Sequence, residues 1–133
     1  MFLYRVLQKK PMNREMNQTS QLVLTALLMI IVDLPWLSLI GGHYTDIVRT
    51  IQGGRQVRMR PLAGVVVYPA MAFLALKTTS LKDAFLTGLA VYAVYDFTVM
   101  AVFKEYPLYM AVADALWGAF LFMAVFWVRQ RYF

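Results

Sequence analysis

Four apolar runs separated by short, mostly basic connections constrain this chain more than any other feature. Ser20 to Gly41 holds 22 residues with one ionisable side chain, Asp33. Pro61 to Lys77 holds 17, uncharged until the terminal Lys. Lys82 to Lys104 holds 23, with Asp83 near one end and Asp96 deep inside, and Pro107 to Val128 holds 22, with Asp114 alone. A bilayer core of roughly 30 Å takes about 20 helical residues, so three runs span easily and the second only just. Open strands cannot satisfy their backbone in lipid, so all four runs are predicted helices. The fold class is therefore all-α, an integral membrane four-helix bundle. Composition agrees: 61% of residues are hydrophobic and 15% charged, against about 45–50% and 25% in a soluble domain. The expected organisation is a basic N-terminal flank over 1–19, one transmembrane domain over 20–128 and a basic tail over 129–133. The spans lie at about 20–41, 61–77, 82–104 and 107–128.

Pro61 and Pro107 read as helix starts, where a missing N–H costs nothing. Pro35 and Pro69 are interior, and each is expected to kink its helix. Phe2, Leu3, Val6 and Leu7 either line a short interfacial helix with Lys9 and Lys10 at the headgroups or belong to a frayed flank. Residues 42–60, with Gly53-Gly54 and four Arg, are expected to form a basic surface loop or interfacial helix. With four crossings, the two ends and the middle connection share a side that carries 8 basic residues against 5 opposite. The positive-inside rule then puts both termini in the cytoplasm of a multi-pass protein. Basic flanks of this kind suit anionic lipid headgroups. Nucleic acid is rejected as a partner, because Tyr44 is the only stacking aromatic among those Arg. With no Cys in the chain, disulfide scaffolds, thiolate metal sites and cysteine chemistry are excluded.

Each of three spans carries one intramembrane Asp. Measured from the span midpoints at 1.5 Å per residue, Asp33, Asp96 and Asp114 lie roughly 4, 4.5 and 5 Å toward the same membrane face. Helical spacing supplies neighbours: Gly88, Tyr92 and Asp96 form one stripe, Gly64, Tyr68 and Ala72 another. Trp36 follows Asp33 by three residues, and Trp117 follows Asp114 by three. The expected polar centre comprises Asp33, Asp96, Asp114, Tyr68, Tyr92, Tyr95, Trp36 and Trp117. Gly88, Gly118 and Gly64 are expected at helix contacts, where small residues let backbones approach. No Lys or Arg lies at the carboxylates' depth, so burial and mutual repulsion favour a proton on at least one of them.

Two readings follow. The Asp groups tie four helices into register through interhelical hydrogen bonds, or they form a site for a proton, a hard cation or a polar ligand. His43, about 15 Å along the helix from Asp33, reads as an interfacial polar residue. No metal site, no cofactor and no catalytic constellation of nucleophile and base is expected. The leading expectation is a non-enzymatic structural or accessory component of a larger membrane assembly, such as a respiratory or photosynthetic complex or a membrane-containing virion. Its partners would be lipid and other membrane subunits, or further copies of itself. The alternative is a small transporter or cation- or proton-binding protein using the Asp cluster.

The block YAVYDFTVMAVFKEYPLYMAVADALWG, Tyr92 to Gly118, resembles a family of small, mainly bacterial membrane proteins known as domain of unknown function 2177. The matching residues are Tyr95, Asp96 and Thr98, then Pro107 and Leu108, then Asp114, Trp117 and Gly118. VDLPW, Val32 to Trp36, is similar to the family's LDxxW segment. Val99 stands where the family tends to have Asn, and Glu105-Tyr106 where it tends to have Gly-Trp. The resemblance implies a four-helix membrane protein and brings no established activity. Tyr95-Asp96 also resembles the YD element of intramembrane aspartyl proteases, which pair two Asp around water. Ala113-Asp114 lacks the glycines of that family's second motif.

Overall fold

A computed structural model describes residues 16–133. The flank residues 2–10, read above as an interfacial helix or frayed segment, lie outside the described residues. Four helices follow: α1, Gln18–Ile51; α2, Gly64–Leu76, entered through a 3-10 turn over Pro61–Ala63; α3, Leu81–Val102; and α4, Leu108–Tyr132. No strand occurs among the described residues. Helices α1, α3 and α4 are long and apolar enough to cross a membrane, while Pro61–Leu76 is a shorter apolar helix of roughly 25 Å.

Local sequence sets the helix ends. The Asn17 side chain accepts the Ser20 N–H at 2.8 Å and caps α1. Ser80 accepts the Asp83 N–H at 3.0 Å, and Asp83 in turn accepts the Thr79 N–H at 2.9 Å, a reciprocal cap that fixes where α3 begins. Pro61 opens the 3-10 turn, and Pro107 is the N-cap of α4. Pro35 and Pro69 lie inside α1 and α2 without ending them.

The main departure from the sequence reading is the length of α1. It does not stop at Gly41 but continues through Gly41-Gly42 for ten residues, so the first half of the 42–60 segment is neither loop nor separate interfacial helix. Two helical glycines cost about 1 kcal/mol each relative to Ala. The extension offsets this by packing: Ile47, with Ile40, Tyr44 and Ile51, meets Tyr106, Met110 and Ala111 at the start of α4. Gly53 and Gly54, at φ +70° and +89°, then turn the chain back, a left-handed conformation that favours glycine.

Neighbouring helices run antiparallel. Trp36 pairs with Asp114 and Asp33 with Trp117, so α1 and α4 are read in opposite directions. Met16, Gln21, Arg129 and Phe133 line one small cavity at the same end of the bundle. The main core joins all four helices: Ala26 and Met29 from α1, Met71, Ala72 and Ala75 from α2, Ala84 from α3, and Leu121, Phe122 and Val125 from α4.

The tightest approach is between α3 and α4. A Cβ on Gly88 would lie 2.1 Å from the Gly118 carbonyl oxygen, and one on Gly118 would lie 2.3 Å from the Tyr92 ring. The two backbones touch here because neither residue has a side chain. Gly64 behaves differently: a Cβ there would meet only the Tyr68 ring of its own helix, at 3.8 Å. Among the described residues it is not at a helix contact, because α1 does not close over that face of α2.

Adding a methyl group at Gly88 must push α3 and α4 backbones apart. Gly88→Ala is expected to destabilise by about 1–3 kcal/mol, as overpacking does, read as a lowered melting temperature in detergent. Leu116→Phe, at an outward position of α4, should change it little.

Candidate functional site

The intramembrane carboxylates are reached by building up from two short repeats of one pattern. An Asp followed three residues later by a Trp occurs on α1 (Asp33, Trp36) and on α4 (Asp114, Trp117). Residues three apart share a helix face, so each helix offers an acceptor and a donor side by side. Because the helices are antiparallel, the two pairs meet reciprocally. The Trp36 indole N–H donates to Asp114 Oδ1 at 3.0 Å, and the Trp117 indole N–H donates to Asp33 Oδ1 at 2.7 Å. Between them the two indoles stack, centroids 5.2 Å apart and planes 9° from parallel. The result is a clasp between α1 and α4: two hydrogen bonds around a stacked aromatic pair.

Asp33 is fully used. Its second oxygen accepts the Tyr68 hydroxyl from α2 at 2.5 Å, so this buried carboxylate ties α1 to both α2 and α4. Asp114 and Asp96 form a second centre. Asp96, buried on α3, accepts the Tyr106 hydroxyl on Oδ1. Its Oδ2 is buried and has no donor among the described residues, and the Asp114 carboxyl lies within hydrogen-bonding reach. Two acceptors facing each other in low dielectric repel, and one proton between them turns that contact into a hydrogen bond.

The tyrosines divide by depth. Tyr92 sits among the carboxylates, its ring against Gly118, without a hydrogen bond to any of them. Tyr95, expected in the centre, is exposed and pairs with Tyr44 hydroxyl to hydroxyl at 2.6 Å. Tyr44 also meets the Tyr106 ring edge-on, and His43 Nε2 lies 2.5 Å from the Tyr109 hydroxyl. Polar side chains therefore lead from Asp33 toward the α1 C-terminal end.

Tyr106, marked in the sequence only as a departure from the family pattern, is not among the residues expected at the polar centre. It lies in the connection between α3 and α4, is 2% exposed, and folds back over the last turns of α3. Burial first, then the bond to Asp96, raise the pKa of its hydroxyl, so it remains a donor across the physiological range. The signal was present, since an aromatic donor stands beside the proline that starts α4, ten residues from Asp96. The Trp–Asp pairs were visible on each helix, but which Trp serves which Asp depends on register.

No Lys or Arg forms an ion pair with these carboxylates among the described residues; the ion pair found there, Arg49 with Asp46 at 3.5 Å, is exposed at the end of α1. Nor do the described residues hold a group of three or more His, Cys, Asp or Glu able to take a metal ion. A family model described as a predicted membrane protein, DUF2177, matches residues 19–129. The chain belongs to this family. No curated protein and no solved structure matches it. The matched region contains α1 to most of α4, and with it both halves of the clasp and the Asp96 centre.

The geometry separates two kinds of Asp. Asp33→Ala strands the Tyr68 hydroxyl and the Trp117 N–H and should cost about 1–3 kcal/mol. Asp96→Asn instead supplies an N–H donor where Oδ2 has none, and is expected to be neutral or stabilising. Thermal unfolding of both variants in detergent checks the contrast.

Proposed function

We propose that this membrane protein is non-enzymatic and serves as a structural or accessory component of a larger membrane assembly, with other membrane subunits or further copies of itself as neighbours. A respiratory or photosynthetic complex and a membrane-containing virion are the settings this reading has in view. The observation that carries it is the clasp. Asp33 and Asp114 are engaged by indole and phenol donors of the protein's own helices, so on this reading they act as ties. The apolar outer faces of α1, α3 and α4 then offer surface to lipid or to neighbouring subunits. Isolation from native membranes in a mild detergent tests the reading. The expected result is a stoichiometric complex larger than one chain and its micelle; a lone monomer under every mild condition would sink it.

One observation favours a second reading, a small transporter or a cation- or proton-binding protein. Asp96 Oδ2 is buried beside Asp114 and without a donor among the described residues. On that reading, a saturable cation- or pH-dependent thermal shift appears in the wild type and vanishes in Asp96→Asn. On the structural reading Na⁺, Ca²⁺ and Mg²⁺ give no such shift.

The orientation proposed is both termini in the cytoplasm. The chain has no Cys, so single cysteines at Thr79, Gln56 and Gln130 report sidedness without background. An impermeant thiol reagent on intact cells should label Gln56→Cys and spare Thr79→Cys and Gln130→Cys; the reverse pattern would invert the topology.

A further inference from the structure

Between α1 and α2 an open apolar groove of about 450 Å³ runs along the bundle, lined by Ala26, Ile30 and Leu37 on one side and Pro61, Gly64 and Val65 on the other. It exists because two of its walls are small. Ala26 projects only a methyl group, and at Gly64 a Cβ would meet nothing but the Tyr68 ring, at 3.8 and 4.0 Å. Its α1 wall extends from Leu22 to Leu37, a rise of roughly 22 Å, so it is long and narrow rather than round. Tyr68 closes the floor, held by its bond to Asp33.

One end of the groove carries charge. Leu37 lies roughly 10 Å from the middle of the first apolar run, and Pro61 lines the groove beside it. Pro61 therefore sits near the boundary of a hydrocarbon core roughly 30 Å thick. Arg60 and Arg58 come immediately before it, both exposed and without an ion pair among the described residues. An apolar channel at membrane depth that ends under two unpaired guanidinium groups matches one chemistry: a hydrocarbon chain attached to an anionic phosphate.

We infer that the α1–α2 groove is a binding site for one anionic phospholipid, its acyl chain lying against Ala26, Ile30 and Gly64 and its phosphate held by Arg58 and Arg60. The inference depends on membrane placement alone and stands whether or not the accessory role does. A second copy of the chain is the poorer occupant, because a symmetric pairing through this groove would bring two sets of arginines together. A zwitterionic lipid could fill the groove but gains less from the arginines, since its headgroup carries no net negative charge.

Thermal unfolding of the purified chain in maltoside micelles, titrated with dioleoyl phosphatidylglycerol or dioleoyl phosphatidylcholine, tests this, with native mass spectrometry counting retained lipid. A ligand that binds the folded state raises the melting temperature by mass action. Phosphatidylglycerol should give a saturable rise with one lipid retained, and phosphatidylcholine a much smaller one. Each basic residue near an anionic headgroup contributes about fivefold in affinity. The R58Q/R60Q variant should therefore bind phosphatidylglycerol about 30-fold more weakly, and these exposed changes leave the fold intact. Gly64→Leu fills the notch without a backbone clash and should suppress binding of both lipids. Equal shifts for the two lipids, or a phosphatidylglycerol preference that survives R58Q/R60Q, would overturn the inference. So would unchanged binding in Gly64→Leu, or a wild-type dimer that retains no lipid and that Gly64→Leu splits.

Discussion

A carboxylate in the middle of a bilayer sets the terms for the rest of this structure. On the mildest scale, inserting one Asp at mid-membrane costs about 2.5–3.5 kcal/mol; three of the four helices carry one, and the fourth, α2, bonds to one through Tyr68. Among the described residues the cost is met without an ion pair to any cation. Asp33 receives the Trp117 indole and the Tyr68 hydroxyl, one on each oxygen; at about 1–2 kcal/mol for a strong interhelical bond, the two together roughly offset its insertion. Aromatic donors suit this role because each brings a large apolar body that lipid and protein accept and a single polar hydrogen that the carboxylate needs. The arrangement also fixes register. Sliding α4 by one residue against α1 would break both clasp bonds and unstack the indoles, so the same interaction sets composition and geometry.

Close approach of α3 to α4 is the second condition, and the Asp96–Asp114 centre depends on it. Tyr92 lies over Gly118, and Gly118 lies under Gly88, which brings the Asp96 and Asp114 backbones near enough for their carboxyls to face each other. A larger residue at either glycine would widen the gap, remove Asp114 from Asp96, and leave two isolated acids in place of one coupled centre. Small-residue packing therefore determines how the charges are accommodated.

What the sequence disclosed follows from which forces are local. The apolar runs, the all-α membrane fold and the Gly88 and Gly118 contacts depend on composition and on spacing along one helix, and these are legible without any partner. Asp33, Trp36, Asp114 and Trp117 were legible as a set for the same reason. Their cross-pairing was not, because it requires the register of two helices 78 or more residues apart in sequence. The ten-residue extension of α1 was hidden for a related reason: Gly41-Gly42 reads locally as an ending, and only packing of Ile47 on Met110 and Ala111 carries the helix onward. Tyr106 was overlooked because a connection residue is ordinarily at the surface, whereas this one folds back to satisfy Asp96. Tyr95 was placed at the centre because it adjoins Asp96 in sequence, yet neighbours in a helix point about 100° apart, and it faces outward to Tyr44.

Gly64 shows where a sequence rule divides. Small residues at four-residue spacing allow helices to touch, but the rule supplies permission and no partner. At Gly88 the space is taken by the Gly118 backbone; at Gly64 nothing from a neighbouring helix takes it. The difference lies in what else holds each pair together. Helices α3 and α4 are drawn into contact along much of their length, with a reversal of only a few residues between them. Helix α2 is shorter, is entered through a 3-10 turn after a nine-residue return from Ile51, and is tied to α1 in mid-membrane by the Tyr68–Asp33 hydrogen bond. A helix anchored at that point and at its packed C-terminal half, where Met71, Ala72 and Ala75 enter the core, is free to stand off at its N-terminal half. That half is where the groove opens and where Arg58 and Arg60 precede it.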